Sequence, residues 1–237
     1  MQQTHLMIKF GRKEDLEQLK EGTIYFSKLQ THRDDTTAFR GDFTEGKIAI
    51  DPDTLSIQDS AGGNIFNSLP RPDNVYLSNA NDRDLLVFCC SIITDNILEE
   101  NLDGTKTFSK GFRNEMVKFG DYAMCFWEYE IQNKLVSATK ENSNLFYEYG
   151  AITYCDKSDF SSPSNCNTHK SMLSQYFTKD IAYKFQNEWR VIIDGKCSPL
   201  ELNRPKGFVL ETSPFEKAAI YKSKDLVKTF EWRNFNA

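Results

Sequence analysis

The start of the chain shows two patterns of apolar positions, which predict a strand, a helix and a second strand. Residues 5–10 form a short apolar-rich run that ends at a glycine, as a strand does before a turn. Residues 13–21 carry apolar side chains at helical spacing and stop at Gly22, which is typical of a short amphipathic helix. Residues 23–27 alternate with the period of a half-buried strand. The chain is therefore predicted to open as β–α–β.

The rest of the chain contains longer apolar or alternating runs that predict strands, at residues 85–93, 122–129, 149–154 and 188–194. Residues 31–81 are polar and rich in turn residues, and an insert of this kind is often a lid or a substrate loop. The helical patterns are segregated from the strands rather than alternating with them. We therefore predict a single α+β domain over residues 1–237, with a mixed or antiparallel central sheet.

The composition is that of a globular protein. Apolar residues make up 39% of the 237 positions and charged residues 27%, which allows a core and excludes disorder as the main state. No apolar run approaches the roughly 18–20 residues of a membrane span. The first residues also lack the basic start and apolar stretch of a secretory signal. We expect a cytoplasmic protein with no membrane partner.

The charge balance bears on nucleic-acid binding. With 29 Lys and Arg against 34 Asp and Glu, the net charge is −5. A protein that grips duplex nucleic acid by neutralising phosphates is normally basic, which disfavours a static, non-specific DNA binder. A transient enzymatic contact with nucleic acid stays open, because one basic groove can lie within an acidic total.

Several standard site signatures are absent from the sequence. The six cysteines have no CxxC spacing, which favours reduced thiols and disfavours structural zinc. There is no P-loop, GxGxxG, HExxH or GxSxG motif. The three histidines are scattered along the chain, so a His-dependent triad is not expected. We predict no metal site.

Two pairs of polar residues are candidates for chemistry. Glu128 and Glu130 alternate along a predicted strand, which is the pattern a metal-dependent nuclease would use. Gln186 and Glu188 stand two apart where the chain enters a strong apolar strand, so both are expected on one face. A buried strand start disfavours a carboxylate unless it is paired or functional. The alternative is that Glu188 pairs with a nearby cation, Arg190 or Lys184, at the rim of the sheet, where it would add little to stability.

Three segments together resemble the ADP-ribosyltransferase fold. They are Lys9-Phe10-Gly11 at the end of the first strand, residues 22–27 in the second, and Gln186-Asn187-Glu188 before a late strand. In that family the first segment carries Arg or His before the glycine, where this chain has Lys9. No Ser-Thr-Ser motif is present. The opening is similar to that of toxins that ADP-ribosylate DNA, and toxins of phage defence that ADP-ribosylate RNA are a second comparison.

The resemblance implies a role for each matched residue. Glu188 would bind the ribose 2′-hydroxyl of NAD and stabilise the ribosyl cation as nicotinamide leaves, and Gln186 would orient the acceptor. Tyr25 would stack on nicotinamide, with half-buried sheet packing as an equal alternative. A basic side chain would hold the pyrophosphate, although a solvated loop position is the alternative for the two arginines. The residues implied to contact NAD are Lys9, Phe10, Gly11, Tyr25, Ser27, Arg33 and Arg40.

The sequence thus predicts an NAD-dependent ADP-ribosyltransferase toxin of phage defence or of a toxin–antitoxin system. Its acceptor would be RNA or single-stranded DNA rather than protein, because aromatics, 13% of the residues, can stack on unpaired bases. An antitoxin is a further candidate partner. Two alternatives stay open: an inactive binding or sensor module of the same fold, and a metal-dependent nuclease that uses Glu128 and Glu130.

Overall fold

The computed structural model describes residues 4–37, 41–51, 58, 60, 62–63, 75–79, 82, 85–141, 145–157, 173–194 and 207–232. The helices in these ranges are α1 (Lys13–Lys20), α2 (Leu29–Asp34), α3 (Lys110–Met116), α4 (Glu128–Glu141) and α5 (Ser223–Thr229). The strands are β1 (Leu6–Gly11), β2 (Thr23–Lys28), β3 (Ile48–Ile50), β4 (Val75–Leu77), β5 (Leu85–Ile92), β6 (Leu98–Glu100), β7 (Lys106–Phe108), β8 (Tyr122–Trp127), β9 (Tyr147–Ala151), β10 (Thr153–Cys155), β11 (Thr178–Asp180), β12 (Glu188–Asp194), β13 (Gly207–Glu211) and β14 (Ala219–Lys222).

A large antiparallel sheet of eight strands forms the centre of the fold, accompanied by helices. This confirms the prediction of helices around a mixed or antiparallel central sheet. Strand β5 lies at the middle and pairs along one edge with β12, which pairs in turn with β9. The other edge of β5 is shared by two arms of the sheet, β13–β2 and β14–β8–β1.

The two arms separate over the middle of β5. Strand β2 pairs with β5 at Leu86 and Val87, and β1 pairs with it at Ser91 and Ile92. Because β12 already occupies the opposite edge from Leu85 to Ser91, both arms must lie on the same edge. Residues 88–90 of β5 therefore have no described strand beside them there, and the sheet opens into a cleft between β1 and β2.

Side chains on both faces of the sheet are buried against helices, as the alternation along β1 illustrates. Met7 packs into a cluster with the apolar faces of α1 and α4, whereas Ile8 packs into a second cluster with α3 and α5. Neither side chain is exposed to solvent. Burying a large aliphatic side chain stabilises the fold by about 1.5–3 kcal/mol. These two layers hold β1, and therefore one wall of the cleft, in place.

The opening β–α–β unit has the predicted elements. The helix α1 buries Leu16 and Leu19 and ends before Gly22, which has a φ of +102°. A Cβ atom at this position would lie 2.2 Å from the carbonyl oxygen of Thr212. Gly22 is therefore required both by its left-handed backbone and by the close approach of the neighbouring chain.

The sequence reading of residues 122–129 as one strand was wrong at its end. Strand β8 stops at Trp127, and Glu128 begins the fourteen-residue helix α4. Glu128 and Glu130 therefore lie in the first turn of a helix and do not alternate along a strand. Carboxylates are stabilised there by the positive end of the helix dipole. The helix buries Ile131 and Leu135, and this helical spacing of apolar residues was missed.

The cysteines differ in state. Cys89, Cys90 and Cys125 are free thiols, as expected, but Cys155 takes part in a disulfide, so the expectation of reduced thiols is wrong for that residue. Burial raises the pKa of the Cys125 thiol to about 12. In the described part of the chain, no helix combines the length and apolar character that crossing a membrane requires.

Candidate active-site cleft

The cleft between β1 and β2 has two adjoining compartments. The Glu188 compartment has a volume of about 430 Å³ and is lined by Ser91, Gln186 and Glu188 among others. The Tyr25 compartment has a volume of about 730 Å³ and is lined by Tyr25 and Phe88 among others. The residues that line both are Lys9, Phe10, Gly11, Arg12, Asp15, Ser27, His32 and Cys89. Each volume lies in the roughly 300–1,000 Å³ range of small-molecule sites.

Glu188 lies in the wall of this cleft, held by two cations. It is the first residue of β12, opposite Ser91 of β5, and only 5% of it is exposed. Its Oε1 accepts hydrogen bonds from Arg190 Nε at 2.8 Å and Nη2 at 2.5 Å. Its Oε2 accepts one from Lys179 Nζ at 2.8 Å. The pairing with Arg190 agrees with the structural alternative raised from the sequence, but the second cation is Lys179, not Lys184, and the pair is buried.

The carboxyl of Glu188 is strongly held in its ionised form. Burial alone would raise its pKa, but the charges of Arg190 and Lys179 outweigh burial and lower the pKa well below its ordinary value. Arg190 also donates to Glu45, another fully buried carboxylate, whose pKa is lowered for the same reason despite burial. Two carboxylates and two cations thus form a neutral buried group. Its ion pairs lie in low-dielectric surroundings, where the attraction between opposite charges is strong.

Gln186 reaches the same cleft by a route that strand alternation does not describe. It ends a 3-10 helix at Ile181–Gln186, and Asn187 then takes a left-handed conformation with a φ of 40°. The Asn187 amide donates to the Ile92 carbonyl and to Thr94 Oγ1, which holds this turn against β5. Lys179 Nζ donates to Gln186 Oε1 at 2.9 Å as well as to Glu188. Lys179 therefore links the side chains of Gln186 and Glu188.

Lys9, Phe10 and Gly11 form the β1 side of the cleft. Lys9 Nζ donates to the carbonyl oxygen of Cys89 at 2.5 Å, across the gap where β5 lacks a strand partner, and lies 4.8 Å from the centroid of the Phe88 ring. The Lys9 ammonium has three donors, so it can keep this hydrogen bond and still donate to a ligand phosphate. Phe10 is mostly buried and packs edge-on against Phe112, so most of its ring belongs to the core.

Tyr25 and Ser27 form the β2 side. Tyr25 is 44% exposed in the Tyr25 compartment. A Cβ atom at Gly207 on β13 would lie 2.8 Å from its hydroxyl, so the ring lies over that glycine. Ser27 lies two residues further along β2 and lines both compartments. The structure therefore brings Lys9, Tyr25, Ser27 and Glu188 to one continuous cleft.

Of the two loop arginines, Arg33 is described and does not line this cleft. Arg33 is buried, and its guanidinium donates to Asp82 at 2.6 Å and to the Glu45 carbonyl at 2.7 Å. It is buried in this pair and is not a solvated loop residue, which corrects that interpretation, and it is not among the residues that line the two compartments. Arg40 lies outside the described residues. The guanidinium that does line the cleft is that of Arg12, which is exposed and pairs with Asp15 at 2.7 and 2.8 Å.

The first part of the insert at residues 31–81 is anchored in the core by further buried groups. Asp42 lies 3.9 Å from Lys157 Nζ, and burial lowers the pKa of that lysine. Glu45 binds Arg190, and the Tyr176 hydroxyl donates to Asp82. Among the described residues, the buried oxygens Asp42 Oδ2 and Glu45 Oε2 have no hydrogen-bond partner. This part of the insert therefore packs against the residues that hold Glu188, rather than lying apart from them.

Sequence reasoning missed four residues of the site: His32, Glu45, Cys89 and Lys179. None lies in a motif, and all four come from different parts of the chain. Cys89 lies in the predicted strand at 85–93, and its apolar neighbours hid it. For His32 one local signal existed, because it follows Ser27 at a spacing that a turn into a helix brings together. Its Nε2 lies 2.6 Å from Ser27 Oγ.

The two carboxylates of the nuclease alternative have structural partners. Glu128 Oε2 lies 2.8 Å from His5 Nδ1, and its Oε1 accepts from Gln132. Glu130 accepts from the backbone N–H groups of Glu216 and Lys217. Neither carboxylate lines the cleft. Across the described ranges, no group of three or more His, Cys, Asp or Glu side chains is placed to hold a metal ion.

Comparison of the chain with protein-family models, with curated proteins and with solved structures finds no significant match. The functional proposal therefore rests on the geometry and charge of the cleft.

Proposed function

We propose that the chain is an NAD-consuming ADP-ribosyltransferase whose substrate binds in the cleft between β1 and β2. The observation that carries the proposal is a buried, ionised carboxylate in the wall of a cleft that also has a basic, an aromatic and a hydroxyl side chain. A dinucleotide such as NAD, whose positively charged nicotinamide ring leaves as a neutral molecule, requires groups of these kinds. They are also the residues through which the sequence resembles the ADP-ribosyltransferase family.

Glu188 supplies the central electrostatic contribution. Cleavage of a ribose–nicotinamide bond develops positive charge on the ribose, and a fixed carboxylate stabilises that charge without reorganising. The Oε2 atom accepts one hydrogen bond from Lys179 and has capacity for another, since a carboxylate oxygen has two lone pairs. Cys89, which also lines this compartment, contributes to the lowered pKa of Glu188. A ribose hydroxyl is a good donor to a carboxylate and would take the second position on Oε2.

The remaining lining residues divide the substrate between the two compartments. Tyr25 presents a half-exposed aromatic ring on which a planar heterocycle can stack. Lys9 and Arg12 line both compartments and supply positive charge for a pyrophosphate between them. Gln186 is next to Glu188 and shares Lys179 with it, and is therefore placed to orient an acceptor.

For the acceptor we propose a single-stranded nucleic acid, RNA or DNA. The support is the resemblance, together with the half-exposed Tyr25 ring in a compartment that is also lined by Lys9 and Arg12. Unpaired bases stack on aromatic rings, and this requires no large basic surface. As a cytoplasmic toxin, such an enzyme would need an inhibiting partner, and an antitoxin is the class we propose.

One observation favours a second function, a binding or sensor module with an inactive site. Both oxygens of Glu188 are already held by cations, so its charge is largely balanced before any substrate binds. A carboxylate in that state stabilises a new cation less than a free one does. Such a module would bind NAD, or a related dinucleotide, without releasing nicotinamide.

The test incubates the protein with NAD labelled in the adenosine half, together with separate pools of RNA, single-stranded DNA and protein. We expect nicotinamide release and retention of label by one nucleic-acid pool. NAD binding without nicotinamide release would favour the inactive module. No binding and no release would refute both functions.

The matched variants are Glu188→Gln and Glu130→Gln, which neutralise one buried carboxylate inside the cleft and one outside it. We expect the Glu188 change to reduce nicotinamide release by about a hundredfold or more, as for the loss of one preorganised electrostatic contact. The Glu130 change should leave the rate within a few-fold. Rates are compared well below the unfolding temperature of each variant. Equal rates for wild type and Glu188→Gln would refute the role of Glu188.

A further inference from the structure

The proposed function uses Ser27 only as a hydroxyl that lines the cleft and gives its neighbour His32 no role. Ser27 is near the end of β2 and His32 lies in α2, so the turn between these elements brings the two side chains together. His32 Nε2 lies 2.6 Å from Ser27 Oγ, and both residues line the compartment that contains Gln186 and Glu188. The Ser27 hydroxyl can donate its one proton either to this nitrogen or, over a longer distance of 3.3 Å, to the Val87 carbonyl.

The surroundings of His32 favour its neutral, proton-accepting form. Burial lowers the pKa of this imidazole below its ordinary value of 6.5. The charged groups that act on it are Glu45, which opposes the shift, Lys179 and Arg190, which add to it, and Glu188, which opposes it. These four charges sum to zero. The other titratable groups of the same compartment are Lys9, Arg12, Asp15, Asp35, Cys89 and Cys90.

We propose that Ser27 and His32 form a proton relay that activates the acceptor in the transfer reaction. The proposal rests on the proposed function and adds to it a route for the acceptor proton. We assign Ser27 to meet the acceptor, because its side chain lines the compartment that contains Glu188. His32 is the final base, reached through the 2.6 Å hydrogen bond.

The proton and electron balance of the step is closed. The bond between ribose C1′ and nicotinamide breaks, and its electron pair leaves with nicotinamide. An acceptor hydroxyl or amine supplies the electron pair of the new bond to C1′. The acceptor proton moves to Ser27 Oγ as the serine proton moves to His32 Nε2, and the imidazolium later releases that proton to water. No further reactant is needed.

The test measures transfer of labelled ADP-ribose as a function of pH in wild type, His32→Gln, Ser27→Ala and the double variant. Glutamine keeps a hydrogen-bond partner for Ser27 but cannot take up the proton. We expect the wild-type rate to fall at pH values below the lowered pKa of His32, and the His32 variant to lose this limb with a rate about a hundredfold lower. Because the two residues act as a unit, the double variant should be no slower than the slower single variant.

His5→Gln is the matched control, since His5 also hydrogen-bonds a side chain, Glu128, but does not line the cleft. Its rate and pH profile should equal those of wild type. If His32→Gln keeps the wild-type rate and acid limb, or if the effects of the two single variants multiply, the relay is refuted while the proposed function stands. If wild type itself releases no nicotinamide, both fall together.

A measurement on wild type alone covers the case in which His32→Gln does not fold. Diethylpyrocarbonate acylates neutral imidazoles, and peptide mapping assigns the label to individual histidines. The transfer activity should fall in proportion to the labelling of His32. Added NAD should protect His32 from labelling and should preserve the activity. Activity that is lost with the labelling of His5, or that survives complete labelling of His32, would overturn the relay.

Discussion

The free energy of unfolding of Glu188→Gln tests how firmly the buried ion network holds the cleft. The substitution keeps the shape of the side chain and removes its charge. The amide oxygen can keep the two Arg190 hydrogen bonds at the Oε1 position, which leaves the amide NH₂ group facing Lys179 Nζ. The variant then has two buried cations and only Glu45 to balance them. A rim position would have made this change nearly neutral, but burial makes it costly.

The expected loss follows from these contacts. Removing one partner of a buried ion pair commonly costs about 3–5 kcal/mol, since the charge left behind has no partner. In a chain of this length each kcal/mol corresponds to about 2–4 °C in the midpoint of thermal unfolding. We therefore expect Glu188→Gln to unfold about 6–20 °C below wild type. The double variant Glu188→Gln/Lys179→Met should lose less stability than the sum of the losses of the two single variants.

Urea unfolding followed by tryptophan fluorescence is the suitable assay, because Trp189 is buried beside Glu188. The double-mutant cycle gives the coupling between Glu188 and Lys179, which we expect to be about 2 kcal/mol. A loss of less than about 1 kcal/mol for Glu188→Gln would show that water reaches this carboxylate. Additivity of the two single losses within about 0.5 kcal/mol would show that Lys179 is not its partner.

Three further predictions concern other parts of the structure. Burial lowers the pKa of His32, so the unfolded chain binds more protons than the folded chain near pH 6.5. The free energy of unfolding should therefore fall as the pH drops through 6.5. Urea titrations should find this fall in wild type and not in His32→Gln. Arg33→Met should cost about 3–5 kcal/mol in the same assay by leaving Asp82 buried without its cation, and a loss near zero would exclude a buried pair. Gly22→Ala should lower the thermal midpoint, because φ is +102° and the new Cβ would meet a carbonyl at 2.2 Å; an unchanged midpoint would contradict that geometry.

Local patterns were sufficient for many of the elements. The opening strand, helix and strand, the buried strand β5 and the strand β12 all follow from apolar periodicity, because each buries a continuous stripe or face. The same method failed at Glu128, where the apolar run of β8 passes directly into α4 and no Gly or Pro marks the change. A period of two and a helical period cannot be separated over three or four residues.

The candidate site shows a comparable division. Glu188 and Gln186 were recognisable because a carboxylate at the start of a strong apolar strand requires a partner or a purpose. The rest of the buried ion network was not, since Lys179 and Glu45 come from segments without a regular pattern. The choice between Arg190 and Lys184 as the cation for Glu188 also depended on which way each side chain turns, and this is decided by packing.

By itself, the sequence determined which segments become strands and helices and which polar residues stand at their ends, because those properties depend on spacing along the chain. Only the tertiary structure decided that β1 and β2 share one edge of β5 and part over residues 88–90. That division creates the cleft and brings Ser27, His32 and Glu188 together from distant positions. It also turned Arg33 inward to Asp82. Long-range pairing of strands and buried charges is a property of the whole chain, because each ion pair is stable only where the packed core around both partners excludes water.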